Sequence, residues 1–299
     1  MLTQGRVDVE ALVARIRAEF PDLDFAEATL NDLGEDHAVV MLDDAWVFRF
    51  PRSARAASYA AGERRLLHRL NQVSSLAAPR YERVSVAGDF AGYRMIQGCE
   101  LSEAVFAALP RQVQERVLDE LGGFLARLHR LSPSLVASPD GAAAPKHGGR
   151  EFARANRRRR ARIASALALD LIARIDRFFE LLAAVVDRAP KVLIHGDLSE
   201  DHILLEPNGQ RLAGVIDFTD AGPGDPAFDF TFLWAYGDWA PARAAACYGD
   251  AAAEVLARSR WWFTRYSIDR LWWDLTGARA CDAVKVEGDI RAGLDALGL

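Results

Sequence analysis

The sequence contains few cysteines, and those it has are far apart. Cys99, Cys247 and Cys281 are the three cysteines among 299 residues, and no CxxC pair occurs. This spacing argues against a zinc site and against the disulfide framework of a small secreted protein. A reducing compartment is therefore the expected environment.

Long apolar segments are also missing. No uncharged apolar run approaches the ~18 to 20 residues that a membrane-spanning helix needs. The N-terminal residues, MLTQGRVDVEALVARIRAEF, lack the apolar stretch of a secretory signal peptide. Together with the cysteine pattern, these absences predict a cytoplasmic protein without a membrane partner.

A large excess of one charge sign is absent as well. The chain has 37 Lys and Arg against 42 Asp and Glu, a formal net charge of −5. This balance gives no general attraction to nucleic acid or anionic lipid, so we expect a small neutral or cationic partner. One basic segment, residues 150–162, holds seven Arg against one Glu, and we interpret it as a solvated helix face. The length suggests two domains or lobes of ~150 residues each.

The first hundred residues show the pattern of a small α+β lobe. Two apolar runs, 37–42 and 45–50, are joined by Asp43 and Asp44, which favour the tight turn of a β-hairpin. Beyond about residue 100 the apolar spacing becomes mostly helical. The sequence therefore predicts a mixed N-terminal lobe followed by a larger helical lobe.

Two charged residues of the first lobe fall on faces that should be apolar. Strand alternation over 46–50 places Val47 and Arg49 on one face. A helix predicted over 55–70 puts Glu63 on its inward face. A buried carboxylate needs a cation to offset its lost hydration, and Arg49 is the candidate partner.

The segment from residue 191 to 218 carries the clearest chemical pattern. A short apolar strand runs into His195-Gly196-Asp197, and a later strand ends in Asp217. Strand ends place side chains at the rim of a cleft, which suits catalysis and metal binding. An isolated Asp would be interpreted as a turn or cap residue, but two Asp with His195 and His202 at compatible spacing favour a functional site.

These motifs resemble those of the aminoglycoside phosphotransferases, small-molecule kinases with a protein-kinase-like fold. The resemblance covers most of the chain, and it is carried by the order and spacing of His195-Gly196-Asp197, His202, Val215-Ile216-Asp217-Phe218, Gly224–Phe230, Trp46–Pro51, Phe90–Gly98 and Leu121–His129. His202 in place of the commoner Asn is shared with the 2″-phosphorylating branch and with macrolide phosphotransferases. The implied fold is α+β and two-lobed, with a nucleotide-binding lobe over 1–97, a hinge over 98–103 and a helical lobe over 104–299.

The resemblance implies a role for several of these residues. Asp197 would orient the acceptor hydroxyl and take its proton, because phosphoryl transfer depends on positioning and on stabilisation of charge. His202 and Asp217 would hold Mg²⁺. Arg49, fixed by Glu63, would contact the phosphates of the donor, and Arg offers a broader bidentate fork than the Lys usual in the kinase fold.

The donor is expected to be ATP or GTP. Val47 would roof the base, and the strand and hinge pattern places Tyr93, Arg94 and Ile96 at the nucleotide pocket, with Ile96 supplying a hinge amide. A bulky Tyr at the position of Tyr93 resembles enzymes that favour GTP. The loop over 33–37 occupies the position of the phosphate-binding loop.

The acceptor side is expected in the C-terminal lobe. Helical winding of residues 261–275 puts Trp262, Tyr266, Asp269 and Trp273 on one arc. Such an aromatic platform with a carboxylate suits a polyaminated sugar, so Asp269 and Trp273 are candidate substrate residues, with Ser199 as a third. The alternative is that the helical lobe buries both arcs.

The resulting functional prediction is transfer of the γ-phosphate of ATP or GTP to a hydroxyl of a small cationic molecule, with an aminoglycoside as first candidate. Macrolide phosphorylation is the alternative if the pocket is apolar and wide, and metabolite kinases of the same fold share these residues. A nucleotide-binding pseudokinase without turnover is a further alternative, which retention of both Asp197 and Asp217 argues against.

Overall fold

The computed structural model describes residues 8–32, 34, 36–137 and 148–299. Leu33 and Glu35, part of the loop predicted to bind phosphate, lie outside these residues. The described residues fall into two compact units. Within the same part of the chain, no helix is both long and apolar enough to cross a membrane.

The first unit takes the described residues of Met1–Glu100, Ser134–Ala142 and His202–Thr219, and the second unit takes the remainder. The lobe boundary at 98–103 stays a prediction. The contacts group His202–Thr219 with the N-terminal residues, although the linear division assigns this segment to the second lobe. Both predicted metal ligands, His202 and Asp217, therefore belong to the first unit.

An antiparallel five-stranded sheet is the centre of the first unit. Its strands are β1 (Ala28–Asn31), β2 (His37–Leu42), β3 (Trp46–Pro51), β4 (Tyr81–Val84) and β5 (Ala91–Arg94), in the order β1-β2-β3-β5-β4. The helices α1 (Val9–Glu19) and α2 (Ala54–Val73) accompany it. A second, three-stranded sheet of the unit is formed by β6 (Cys99–Glu100), β8 (Ile203–Leu205) and β9 (Leu212–Val215).

The predicted β2–β3 hairpin is confirmed. Asp43 and Asp44 both have positive φ, 50° and 49°, and the Ala45 N–H donates to the Leu42 carbonyl at 2.9 Å. This is the geometry of a type I′ turn, which matches the twist of paired strands. Asp tolerates positive φ better than most residues, so the local sequence favours this turn.

The second unit is mainly helical. Its helices are α3 (Glu103–Ala108), α4 (Arg111–Leu128), α5 (Gly149–Ala164), α6 (Leu169–Val186), α7 (Ala240–Ala245), α8 (Ala252–Thr276) and α9 (Ala283–Ala296). Short 3-10 helices cover Pro226–Phe230, Phe232–Tyr236 and Ala246–Ala251. An antiparallel pair, β7 (Val192–Ile194) and β10 (Gly222–Gly224), flanks the His-Gly-Asp segment.

Close packing of α4 requires a glycine. A Cβ at Gly122 would overlap the backbone carbonyl of Ala244 in α7, so the two helices approach at backbone distance there. The apolar stripe of α4, including Val117, Leu121 and Phe124, is buried as its helical spacing predicts. This contact anchors the helix that carries His129 at its C-terminal end.

Candidate functional site

A buried ion pair in the first unit joins Arg49 of β3 to Glu63 of α2. The Arg49 Nη1 atom lies 2.8 Å from Glu63 Oε1, and the two residues are 7% and 5% exposed. Burial alone lowers the pKa of Arg49, but the carboxylate of Glu63 and other nearby groups outweigh it and raise that pKa well above its ordinary value. The guanidinium is therefore permanently charged, and the predicted contact between these two residues is observed.

Two further side chains lie beside the Arg49–Glu63 pair, and the sequence analysis assigned a role to neither. The Arg49 Nη2 atom lies 3.2 Å from Nδ1 of His37, and the Tyr81 hydroxyl donates to Glu63 Oε1 at 3.2 Å. A guanidinium can only donate, so Nδ1 of His37 accepts and the imidazole is neutral. Burial, with the charge of Arg49 as the next cause, lowers the pKa of His37 to about 4.

The position of His37 could have been inferred from hairpin register. Val39 of β2 pairs with Arg49 of β3, and His37 pairs with Pro51. Positions two apart on a strand share a face, so His37 and Arg49 lie on the same side of the sheet. The missing information was the register, which apolar periodicity alone does not supply.

Asp217 is held in an uncommon backbone conformation beside Arg49. Its φ is 61°, and its Oδ1 atom accepts from the Thr219 N–H at 3.3 Å, from the Thr219 hydroxyl at 2.7 Å and from Arg49 Nη2 at 2.9 Å. A non-glycine residue with positive φ persists only when its surroundings hold it there, and such residues cluster at functional sites.

His202 lies next to Asp217 because the backbones of their segments are paired. The Ile216 N–H donates to the His202 carbonyl at 2.9 Å, and His202 Nε2 lies 3.9 Å from Asp217 Oδ2. The two neighbouring side chains are thus candidate ligands of one divalent cation.

The donor set fits a magnesium ion bound together with nucleotide. In the part of the chain that the structure describes, no group of three or more His, Cys, Asp or Glu could hold a metal ion by itself. Magnesium in kinase sites takes one or two protein ligands and completes its shell with phosphate oxygens and water. His202 and Asp217 therefore suffice as the protein's contribution, although imidazole nitrogen suits manganese better.

Tyr93 lies on the sheet face that carries Arg49. It pairs with Val47 across β5 and β3, its ring is perpendicular to that of Tyr81 at 5.5 Å, and burial raises its pKa to about 12. Ile96, the predicted hinge residue, is half-buried. Val47 and Tyr93 thus share one face with the guanidinium, as strand alternation requires.

The side chain of Arg94, a predicted nucleotide-binding residue, lies on the other face of the sheet. Arg94 pairs with Trp46, and its guanidinium lies over the Trp46 ring at 4.0 Å. Trp46 belongs to the apolar cluster on the opposite face of the sheet from Arg49. Because successive side chains of a strand alternate between faces, the side chains of Arg94 and Tyr93 lie on opposite sides of the sheet.

In the second unit a buried carboxylate fixes the segment that contains Asp197. Asp229 is fully buried, and it accepts from the His195 N–H at 2.7 Å, from the Gly196 N–H at 3.0 Å and from His129 Nε2 at 2.9 Å. Burial raises the pKa of Asp229, but these hydrogen bonds outweigh it and the net shift is downward. The ionised carboxylate therefore holds two successive backbone amides.

Gly196 makes the turn into Asp197 possible. Its φ is 84°, and a Cβ at this position would overlap the backbone carbonyl of Asp220. His195 is fully buried, which suits a scaffold residue, whereas Asp197 is exposed. Sequence reasoning did not assign Asp229 or His129 a role; their signals were the second Asp of Gly224–Phe230 and the His that ends α4.

A pocket in the second unit is lined by two of the three predicted acceptor residues, Ser199 and Trp273. The cavity has a volume of about 170 Å³. Its other walls combine aromatic rings with charged side chains of both signs: Phe232, Tyr236, Phe263, Tyr266, Glu103, Glu200, Asp201, Arg270 and Arg279. Because Ser199 lies two residues after Asp197, the pocket reaches the chain close to the predicted base.

The structure gives Asp269, a predicted acceptor residue, other partners. Asp269 is 8% exposed, does not line the pocket, and lies 2.7 Å from Arg159 of α5 and 2.9 Å from Arg265. The helix α8 is buried on most sides in its middle, including Trp262 of the same predicted arc. Helical winding places residues on an arc, but it cannot reveal an arginine from another helix that covers that arc.

The comparisons with known proteins identify the family. The family model described as the phosphotransferase enzyme family matches residues 23–262. The chain belongs to this family, and its fold is the kinase-like fold of two parts predicted from the motifs. The suspected relationship to aminoglycoside phosphotransferases and their macrolide relatives is thereby confirmed.

Two solved structures illustrate the relationship. The GDP and kanamycin complex of an APH(2″) enzyme is 26% identical, covers 96% of this chain and 97% of its own, and superposes with a TM-score of 0.75. A macrolide 2′-phosphotransferase of Brachybacterium faecium is 21% identical, with 97% of each chain covered and a TM-score of 0.59, and supports the fold alone.

One curated relative matches over a short segment. It is the uncharacterised protein YcbJ of Bacillus subtilis, 40% identical over 67 residues. The match spans 22% of this chain and 22% of that protein. This similarity adds no information on substrate.

Proposed function

We propose that the chain transfers the γ-phosphate of ATP or GTP to a hydroxyl group of a small molecule, with Mg²⁺ as the metal. The observation that carries this proposal is the contact network of Arg49, which touches Glu63 at 2.8 Å and Asp217 at 2.9 Å. A permanently charged arginine beside a carboxylate combines a group that can bind phosphate with one that can hold a metal ion, and phosphoryl transfer uses both.

On the donor side, the residues of the first unit act by binding and orientation. Arg49 binds the phosphates and is itself held by Glu63 and His37. His202 and Asp217 hold the magnesium ion, which when bound neutralises charge on the phosphate oxygens. Val47, Tyr93 and Ile96 surround the base, with Tyr93 as the residue that decides between ATP and GTP.

On the acceptor side, Asp197 of the second unit is the base. Its carboxylate orients the attacking hydroxyl and accepts the proton as the new P–O bond forms and the bond to the leaving diphosphate breaks. Asp229 fixes this loop by accepting from the backbone N–H groups of His195 and Gly196. Catalysis then depends on how accurately the loop presents Asp197.

The first candidate acceptor is an aminoglycoside. The similar APH(2″) enzyme was solved with kanamycin, and the pocket of this chain carries the carboxylates of Glu103, Glu200 and Asp201. A macrolide is the second candidate, since five aromatic side chains line the pocket. A cytoplasmic location fits both, because the nucleotide donor is found there and the three cysteines are free.

A panel assay tests the proposed function. The purified chain is incubated with radiolabelled ATP or GTP, Mg²⁺ and aminoglycosides, macrolides or other hydroxyl compounds, and label transfer is measured. Asp197→Asn protein, purified identically, controls for contaminating kinases. Transfer to at least one acceptor that is absent with the variant is the expected result. Nucleotide binding without transfer to any acceptor would instead support the pseudokinase alternative.

A further inference from the structure

The pocket of the second unit holds charges of both signs on different elements. The acids come from α3 and from the turn after Ser199, namely Glu103, Glu200 and Asp201. The bases, Arg270 and Arg279, come from α8 and from the segment that follows it. A pocket built for a polyamine would present an excess of unengaged carboxylates. What the pocket can bind therefore depends on which of its charged groups already have an internal partner.

The acidic groups are already engaged. Lys285 Nζ lies 2.5 Å and 2.6 Å from the two carboxylate oxygens of Glu103. Glu200 Oε2 accepts from the Glu103 N–H at 2.9 Å, and Asp201 accepts from the Ser199 hydroxyl. Both oxygens of Glu103 are thus paired with Lys285, whereas Glu200 and Asp201 each have a second carboxylate oxygen outside these contacts, which suits a single amino group better than a polyamine.

The basic groups are more available. Arg270 lies 3.5 Å from Asp289, a long contact. Arg279 is exposed; its backbone N–H donates to the Trp273 carbonyl at 3.3 Å, but its guanidinium forms neither an ion pair nor a hydrogen bond with any residue that the structure describes. An available guanidinium at a pocket wall is a donor for a carboxylate or phosphate group.

Tyr266 adds a neutral donor between these arginines. Its ring is half-buried and perpendicular to that of Trp273 at 5.9 Å, and no described residue forms a hydrogen bond with its hydroxyl. Burial raises the pKa of Tyr266, and the positive charges of Arg270 and Arg279 act against that rise. Tyr266, Arg270 and Arg279 all line the pocket. Phenol and guanidinium donors thus converge on one wall.

We propose that this pocket selects a zwitterionic hydroxyl acceptor that has one flat apolar ring, one amino group and one carboxylate, rather than a polyamine. The carboxylate binds Arg279 and the Tyr266 hydroxyl, the ring stacks on the aromatic wall, and the amino group meets Glu200 and Asp201. The inference rests on the proposed function, because it treats the pocket as the acceptor site. It opposes the aminoglycoside candidate, whose several ammonium groups would lie against two arginines.

Direct binding tests the proposal with a matched set of probes. Phenylserine carries ring, hydroxyl, amino group and carboxylate; 2-amino-1-phenylethanol lacks only the carboxylate, and 3-hydroxy-3-phenylpropanoate lacks only the amino group. Kanamycin represents the polyamines. Calorimetric titration of the full chain should give a dissociation constant for phenylserine at least ~10-fold lower than for either truncated probe or kanamycin.

Variants connect the selectivity to Arg279. Arg279→Gln should remove the preference for phenylserine over 2-amino-1-phenylethanol, and Arg279→Lys should retain part of it. Arg260→Gln is the control, because Arg260 lies on α8 outside the pocket and pairs with Asp238. Tighter binding of kanamycin, equal binding of the matched probes, no binding of any aryl probe, or unchanged selectivity in Arg279→Gln would overturn the proposal.

Phosphate transfer is measured on the same samples. If phenylserine binds with the expected selectivity but nothing is phosphorylated, the proposed function fails and the assignment of the pocket stands. If kanamycin is phosphorylated and also binds most tightly, the proposed function stands and the assignment of the pocket fails. The two failures are therefore distinguishable.

Discussion

At the scale of single residues, the donor side is organised by Arg49. Its contact with Glu63 was predicted from one strand and one helix, since each residue fell on a face expected to be apolar. Asp217, Thr219 and His37 also contact its Nη2 atom, at 2.9, 2.5 and 3.2 Å. The strand pattern identifies Arg49 as a buried charge. Its remaining partners follow only from the register of the hairpin, which places His37, and from the segment after β9, which contains Asp217 and Thr219.

Replacement of Asp197 by Asn tests the assigned base. We expect turnover to fall by roughly 10²- to 10⁴-fold, because a positioned base contributes about that much. Nucleotide affinity should stay near that of the wild type. Steady-state kinetics and nucleotide titration measure the two quantities. A variant that keeps more than a tenth of wild-type turnover, with chemistry shown to be rate-limiting, would remove Asp197 from this role.

His37 makes stability depend on pH. Its pKa is lowered to about 4 in the folded chain, against ~6.5 when unfolded. Between these values the unfolded state binds more protons, so the free energy of unfolding falls as the pH drops from about 6.5 towards 4. By pH 5 the loss should reach ~2 kcal/mol.

The matched variant is His37→Asn, which keeps an acceptor for Arg49 but does not titrate in this range. Urea unfolding of both proteins at pH 7, 6 and 5 gives the comparison. The variant should lose less stability than the wild type at each step below pH 6.5. Parallel pH dependences in the two proteins would mean that other groups account for the acid sensitivity.

At the scale of elements, short-range patterns predicted the structure well where an element buries one face. They did not predict which side chains meet where two helices pack together. The hairpin turn at Asp43 and Asp44 and the apolar stripe of α4 follow from local spacing. The spacing of α8 gave no sign that Arg159, more than a hundred positions earlier, pairs with Asp269. The basic segment also proved to be only partly solvated, since Arg159 and Arg162 contact α8.

Asp269 should therefore be a stability residue. In Asp269→Asn the buried guanidinium of Arg265 loses its carboxylate partner, which costs about 3 kcal/mol. The KM of any acceptor should change little in the protein that remains folded. The control is Arg160→Gln, which removes a largely exposed pair with Asp176 and should cost less than ~1 kcal/mol. A raised acceptor KM without loss of stability in Asp269→Asn would restore the original assignment.

Adjacent glycines of α4 provide a second test at this scale. Gly122→Ala should be strongly destabilising, because the new methyl group would overlap the Ala244 carbonyl. Gly123→Ala places its methyl group near only the flexible end of Arg127, at 3.1 Å, so it should be neutral or stabilise by up to ~1 kcal/mol through helix propensity. Denaturant unfolding of both variants measures the difference. Similar effects of the two substitutions would show that α4 and α7 do not pack at backbone distance.

At the scale of the whole molecule, the order of motifs along the chain was sufficient for the family and the fold. It was not sufficient for the acceptor pocket. That pocket draws on Glu103, on residues 199–201 and 232–236, and on a stretch from Phe263 to Cys281. No local pattern links these segments, because the packing of helices and not spacing brings them together. Substrate class therefore has to be derived from the structure.

The stability of the whole chain should respond jointly to nucleotide and metal. A ligand at 100 times its dissociation constant stabilises a folded protein by about 2.7 kcal/mol. If His202 and Asp217 hold the metal, the rise in melting temperature with GDP or ADP should be larger with Mg²⁺ than with chelator, and Mn²⁺ should substitute well, since imidazole suits it.

The variants His202→Ala and Asp217→Asn separate the metal from the nucleotide. Each should keep the small shift produced by nucleotide in chelator and lose the additional shift produced by metal. The readout needs no turnover, so it applies even if the acceptor is unknown or the chain is a pseudokinase. An equal metal-dependent shift in wild type and in both variants would place the metal elsewhere, and it would reduce the 3.9 Å contact of His202 with Asp217 to a structural one.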